Sequence, residues 1–100
     1  MNVPLIDADI QTALAVLPGW QGDTRGLVRH YKFPDFVTAM AFMQACIPGI
    51  EERNHHPEWC NGYNRLRVKL FTHDAGDQVT TKDVDLALHL DEIAAQHDGK

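Results

Sequence analysis

Two histidines stand side by side in EERNHHPEW, residues 51–59, with a proline directly behind them. An unperturbed imidazole titrates near pH ~6.5, so it both gives and takes protons at neutral pH. One well-placed group typically contributes ~10²–10⁴-fold to a rate. Neighbouring residues of an extended strand point to opposite sides, so a strand could not present His55 and His56 to one site in the same way. Pro57 fixes its own φ and disfavours helical geometry for His56. The pair therefore sits in a stiff, irregular lead-in to a strand, and working residues concentrate in such segments on a rigid scaffold. A third histidine, His73, stands just past the next alternating run. If the two runs between His56 and His73 form a hairpin, their outer ends meet and His55, His56 and His73 converge.

Three readings fit that convergence: histidines without consequence, a metal site, or proton transfer. Histidine is a common metal ligand, but the chain has no HExxH and no ligand pair at i, i+4 on a helix. Cys60, the nearby thiol, falls inside a strand. No metal is expected. Asp83 has two roles open to it. Thr80-Thr81-Lys82-Asp83 fits a capping box, with Thr80 as cap and Asp83 reaching back. The same helix start follows the loop that carries His73, so its carboxylate can also orient an imidazole. Trp20, Trp59 and Tyr63 read as core aromatics, with walls for a flat ligand as the alternative.

The elements that must position these residues can be read from periodicity. Asp7 caps a first helix over residues 7–17, with Ile10, Leu14 and Leu17 on one side, and Pro18-Gly19 ends it. Trp20 starts a short strand. Residues 26–33, GLVRHYKF, alternate as a strand, with Arg29 on its more apolar face. Pro34-Asp35 opens a second helix, capped by Asp35. Phe36, Met40, Met43 and Ile47 make its apolar stripe, read as core, and Pro48-Gly49 stops it. EWCNGYN is a third strand. RLRVKLFT alternates clearly, with Leu66, Val68 and Leu70 against Arg65, Arg67 and Lys69. A last helix spans residues 81–97, with Val84, Leu86, Ala87, Leu90, Ile93 and Ala94 as its apolar face and His89 on its polar face. Two hairpins separated by a helix predict an α+β fold: a four-stranded antiparallel sheet with three helices on one face, in the order α-β-β-α-β-β-α.

Bulk properties narrow the partners. The 100 residues suit one domain, 1–100. A net charge of −5 argues against nucleic acid and against an anionic membrane surface. The start of the chain lacks the basic segment of a signal peptide, and no apolar run approaches the ~18–20 residues that span a bilayer. With no CxxC, Cys46 and Cys60 read as reduced thiols of a cytoplasmic protein.

Glu51, four positions before His55, then His56-Pro57, Tyr63, His73 and Asp83 together resemble the spaced signature of the pterin-4a-carbinolamine dehydratases. "GW" at Trp20, "FPDFVTAMAFM", "HHPEW", "TH" and "KDVDLA" extend the likeness over most of the chain. The resemblance implies the same α+β fold and the loss of water from a 4a-hydroxytetrahydropterin, giving the quinonoid dihydropterin. That reaction recycles the cofactor of aromatic amino acid hydroxylases with no metal and no redox cofactor, the pterin being the substrate. It further implies that His55 and His73 handle protons, that His56 holds the pterin and that Asp83 supports the histidine side. Glu51, Pro57, Trp20 and Tyr63 complete the implied substrate-binding set, with Trp20 lining the pocket. A homodimer or homotetramer is implied too. Cys60 and Gly62 depart from the bulkier apolar residues expected in the third strand. Two other functions resemble known roles of relatives: a dimerisation partner of a transcription factor, and a pterin role tied to molybdopterin metabolism. Retention of three histidines and Asp83 at one loop cluster favours the enzyme.

Overall fold

Strict alternation makes RLRVKL the clearest strand in the chain, and its burial follows the alternation. In the computed structural model, which describes residues 3–100, Leu66, Val68 and Leu70 are buried while Arg65 and Arg67 are exposed. The elements are α1 (Asp7–Ala15), β1 (Trp20–Asp23), β2 (Gly26–Lys32), α2 (Phe36–Arg53), β3 (Glu58–Gly62), β4 (Arg65–Leu70), a 3₁₀ turn (His73–Ala75) and α3 (Thr81–Ala95). The strands form one antiparallel sheet in the order β1-β2-β4-β3. Each hairpin thus contributes one inner strand, and β2 pairs β4 from Leu27↔Leu70 to Lys32↔Arg65. The three helices cover one face. Leu27, Tyr31, Leu66, Val68 and Leu70 of the sheet meet Ile10, Phe42, Ile50, Leu86 and Leu90 of the helices in one core. Removing each such side chain from water contributes roughly 1.5–3 kcal/mol. Tyr31, Phe33 and Phe42 stack in its middle, with ring centroids 5.0–6.1 Å apart.

Arg29 faces this apolar side because a carboxylate waits there. Asp91 of α3 accepts from Arg29 (2.8 Å), from the Trp20 indole N–H (3.1 Å) and from the Tyr31 hydroxyl. Burial first, then the neighbouring Asp91 carboxylate, pushes the Tyr31 phenol far above its usual range, so it stays a donor. The guanidinium also lies 4.4 Å from the centre of the Tyr31 ring, a favourable cation–π placement.

The helices depart from the sequence reading at their caps, their ends and their buried faces. Ile6, not Asp7, occupies the N-cap of α1; Asp7 is its first residue, where a negative charge still favours the helix dipole. The helix ends at Ala15, two residues short of Leu17. Asp35 does cap α2, accepting from the Thr38 amide at 2.8 Å. However, α2 runs through Pro48 to Arg53 and ends only where Asn54 turns left-handed (φ 48°). Proline removes one helical hydrogen bond; burial of Gly49 and Ile50 just beyond it offsets that loss. The stripe read as core is so only in part, through Met43, which packs against the core from its margin. Ala39, Phe42, Cys46, Gly49 and Ile50 are buried, whereas Met40 and Met43 are half-buried and Phe36 and Ile47 are exposed. Finally, α3 stops at Ala95, not His97. His89 is no free surface residue: a Cβ placed on Gly49 would lie 2.0 Å from its Nε2, so the imidazole fills the space that glycine leaves between α2 and α3.

Candidate active site

Three short devices place the histidines. The left-handed Asn54 ends α2 and turns the chain, and the His55 amide still donates back to the Ile50 carbonyl (3.4 Å). Pro57 then leads into β3, so His55 and His56 stand at the outer end of that strand. β4 runs antiparallel beside it and ends close by, and a 3₁₀ turn begins at His73. Thr80 starts α3 with a full capping box. This brings Asp83 underneath.

Each of the three imidazoles is tied by one ring nitrogen to one carboxylate. His55 Nε2 lies 2.6 Å from Asp83 Oδ1, His56 Nε2 2.5 Å from Glu51 Oε2, and His73 Nδ1 2.8 Å from Asp77 Oδ1. An ionised carboxylate only accepts, so those nitrogens carry hydrogen. The opposite nitrogens, His55 Nδ1, His56 Nδ1 and His73 Nε2, are left for a ligand. In the neutral ring they accept a proton; in the imidazolium they donate one.

The pairs differ in burial. Asp83 is fully buried and His55 nearly so, while His56, Glu51, His73 and Asp77 are exposed. Asp83 survives burial because both oxygens are satisfied. Its Oδ2 accepts from the Thr80 amide (2.9 Å) and the Thr72 hydroxyl (2.8 Å). The Thr72 proton is thereby used, so the 2.8 Å contact between the Thr72 and Thr80 hydroxyls has Thr80 donating. The hydrogen bond and the charge of Asp77, with a smaller contribution from Asp74, raise the His73 pKa above its ordinary value.

A cavity of about 480 Å³ opens over this group, lined by His55, His56, Pro57, Phe71, His73 and Lys82 among others. Its size is that of an ordinary small-molecule site. Glu51 stands behind His56 and does not line it. Trp20 and Tyr63 are not there. Trp20 is buried on Asp91, and Tyr63 is exposed in the β3–β4 turn, at the far end of the hairpin. A flat aromatic wall is supplied instead by Phe71. Sequence reasoning passed over Lys82, Phe71, Thr72 and Asp77. Asp77 had a usable signal, standing four residues after His73; Thr72 had none. Among the described residues, no group of three or more His, Cys, Asp or Glu is arranged to hold a metal ion, and no helix is long and apolar enough to cross a membrane.

Comparison with known proteins adds to this geometry. A protein of Opitutus terrae, provisionally named pterin-4-alpha-carbinolamine dehydratase, is 47% identical over 94 residues, which is 94% of this chain and 97% of that one. A protein of Solibacter usitatus with the same provisional name is 46% identical over 95 residues, covering 95% and 99%. The crystal structure of a transcriptional coactivator/pterin dehydratase from Brucella melitensis matches with a TM-score of 0.85 at 39% identity, over 90% of this chain and 97% of that one. The model of the family described as pterin 4 alpha carbinolamine dehydratase matches residues 3–93, and with nearly the whole chain matched in sequence and in fold, the protein belongs to that family.

Proposed function

We propose that this protein dehydrates a 4a-hydroxytetrahydropterin to the quinonoid dihydropterin, in support of tetrahydropterin recycling for aromatic amino acid hydroxylases. The observation that carries the reading is the set of imidazoles on one cavity, each anchored to a carboxylate and each with its second nitrogen free. Dehydration needs an acid and a base at once. The 4a-hydroxyl takes a proton from the His73 imidazolium as the C4a–O bond breaks, and it leaves as water. The N–H pair on N5 becomes the second bond of C4a=N5, and its proton passes to His55 Nδ1. His73 is the acid because Asp77 stabilises its charged form. His55 is the base because Asp83 holds the hydrogen on Nε2 and so keeps Nδ1 open. His56 and Phe71 hold the pterin ring. Protons exchange with water afterwards, which resets both rings. Following the decay of enzymatically generated 4a-hydroxytetrahydropterin, with and without the protein, tests this directly: equal decay rates would overturn it.

No metal takes part in this scheme, since acid and base are both supplied by side chains. Activity should therefore survive dialysis against a strong chelator; loss on chelation with recovery on adding zinc would refute the scheme.

The Asp77 pair sets a pH dependence. A histidine whose pKa is raised keeps its proton to higher pH, and activity that needs that proton falls as pH rises through the raised value. Asp77→Asn removes the charge behind the shift. The alkaline decline of kcat should move to lower pH, with little change in the melting transition because the pair is exposed. An alkaline limb in the same place would remove His73 from the acid role.

The protein is proposed to work in the cytoplasm as a homodimer or homotetramer. Strands β1 and β3 leave open edges, and Phe36, Val37 and Ile47 expose an apolar stripe along α2. Light scattering at micromolar concentration should give a multiple of the 11.3 kDa chain; a monomer alone would count against it. The same stripe favours a second reading, an interaction module, which the decay assay separates from the enzyme.

A further inference from the structure

The open side of the sheet, away from the helices, concentrates positive charge on an acidic chain. Lys32 of β2 lies directly opposite Arg65 of β4, and His30 lies opposite Arg67. All four are exposed. Like charges directly opposite each other destabilise an antiparallel pair, yet among the described residues no ion pair neutralises Lys32 or Arg65. Among the described residues, the ion pairs of Lys and Arg belong to Arg29 and Arg53, not to Lys32, Arg65 or Arg67. The chain carries fourteen Asp and Glu against nine Lys and Arg; Asp98 shares a neighbouring depression with Lys32 but forms no ion pair with it. These side chains surround a depression of about 330 Å³ that has no acidic residue in its lining. Gly62, opposite Arg65 on β3, keeps it open: a Cβ there would meet nothing within 4 Å. The depression sits at the turn end of the β3–β4 hairpin. His55 and His73 sit at the other end.

We infer that this depression is a second ligand site, which binds a small polyanion bearing two or more phosphate groups. The three cations Lys32, Arg65 and Arg67, with the His30 side chain at the fourth corner, mark a rectangle about 5 Å across the strands and about 7 Å along them. That spacing lets neighbouring phosphate groups each meet a separate cation. Two guanidiniums side by side suit phosphate oxygens, which they bind by paired N–H donors. The volume suits a small molecule. No aromatic ring is exposed in the depression to stack a base, which single-stranded nucleic acid would want. A bound polyanion also relieves the opposition between Lys32 and Arg65.

Calorimetric titration with sodium tripolyphosphate, at constant ionic strength, tests the site. Saturable binding of one equivalent per chain is expected. Arg65→Gln/Arg67→Gln should weaken it about a hundredfold, about tenfold for each charged hydrogen bond lost, and should leave the ligand-free melting temperature unchanged or higher. If that double variant fails to fold, Lys32→Gln alone should weaken binding about tenfold. Cys60 gives an independent readout, since its thiol is exposed in the same lining whereas Cys46 is buried with its pKa pushed up to about 12. Tripolyphosphate should slow alkylation of Cys60 in the unmodified protein and not in the double variant. Equal protection by sodium chloride of matched ionic strength, undiminished binding to the variants, or a single-stranded oligonucleotide binding as tightly as tripolyphosphate would each overturn the inference.

Discussion

Removing His55 and His73 together is expected to bring the dehydration of 4a-hydroxytetrahydropterin down to near its uncatalysed rate. The proposed acid and base, His73 and His55, are separate groups on one cavity, and each positioned proton-transfer group contributes ~10²–10⁴-fold. Single replacements should therefore each lower kcat by about 10² or more, while His56→Ala should act on KM more than on kcat. The two positions differ in their structural cost. His73 is exposed, so His73→Ala should leave the melting transition where it is. His55 is nearly buried and holds a fully buried carboxylate. His55→Ala leaves Asp83 Oδ1 without its partner, and an unsatisfied buried acceptor costs about 1–3 kcal/mol. His55→Gln, whose amide can still donate to Asp83, separates the catalytic loss from that structural one. Wild-type turnover in a folded His55→Gln/His73→Ala protein would show that the imidazoles do not carry the protons.

The second large effect is expected at Asp83. Asp83→Ala strips the partner from three donors at once: the His55 Nε2–H, the Thr72 hydroxyl and the Thr80 amide. Breaking a buried pair of this kind costs about 3–5 kcal/mol, a large share of the ~5–15 kcal/mol that holds a typical domain folded. A clearly lowered melting temperature should follow. Asp83→Asn is gentler and more informative. Asparagine still suits the start of a helix, but one side of its amide must donate. If Oδ1 stays with Thr80 and Thr72, the NH₂ group faces His55 Nε2, which must then accept. The imidazole hydrogen moves to Nδ1, and the base is blocked at the cavity. Turnover should fall by about 10² or more with a smaller stability loss than in Asp83→Ala. The complete burial of Asp83 nevertheless predicts a measurable loss of stability in Asp83→Asn. Full activity in Asp83→Asn would remove tautomer control from the mechanism.

Much of this arrangement was legible because the signals are local. The alternation in RLRVKL and the capping box at Thr80 each act over a few residues. Together they put the ends of β3 and β4 beside the start of α3. That logic was enough to gather His55, His56 and His73. The face of α2 was not legible, because the helix is apolar on two sides. Phe36, Met40, Met43 and Ile47 repeat at helical spacing as well as Ala39, Phe42, Cys46 and Ile50 do, and only tertiary packing chooses between them. Pro48 gave a false stop, since the buried Gly49 and Ile50 hold the helix together beyond it. Trp20 is the instructive case among the site residues. An indole near a ligand and an indole on a half-buried carboxylate look alike in sequence, and Asp91 lies 71 residues away.

Asp83 belongs at once to a helix end and to the pair with His55 proposed to move the proton, and on that reading catalysis is tied to motion. Helix ends open locally at a small fraction of the free energy of global unfolding. Whenever the first turn of α3 frays, the Thr80 amide loses its acceptor and the imidazole of His55 loses its guide in the same event. Exchange of the Thr80 amide hydrogen with solvent and the fraction of molecules with a misaligned base then report one opening equilibrium. Mild denaturant would erode turnover before the sheet begins to unfold, and a bound pterin that steadies His55 would slow exchange at Thr80, an amide it does not touch.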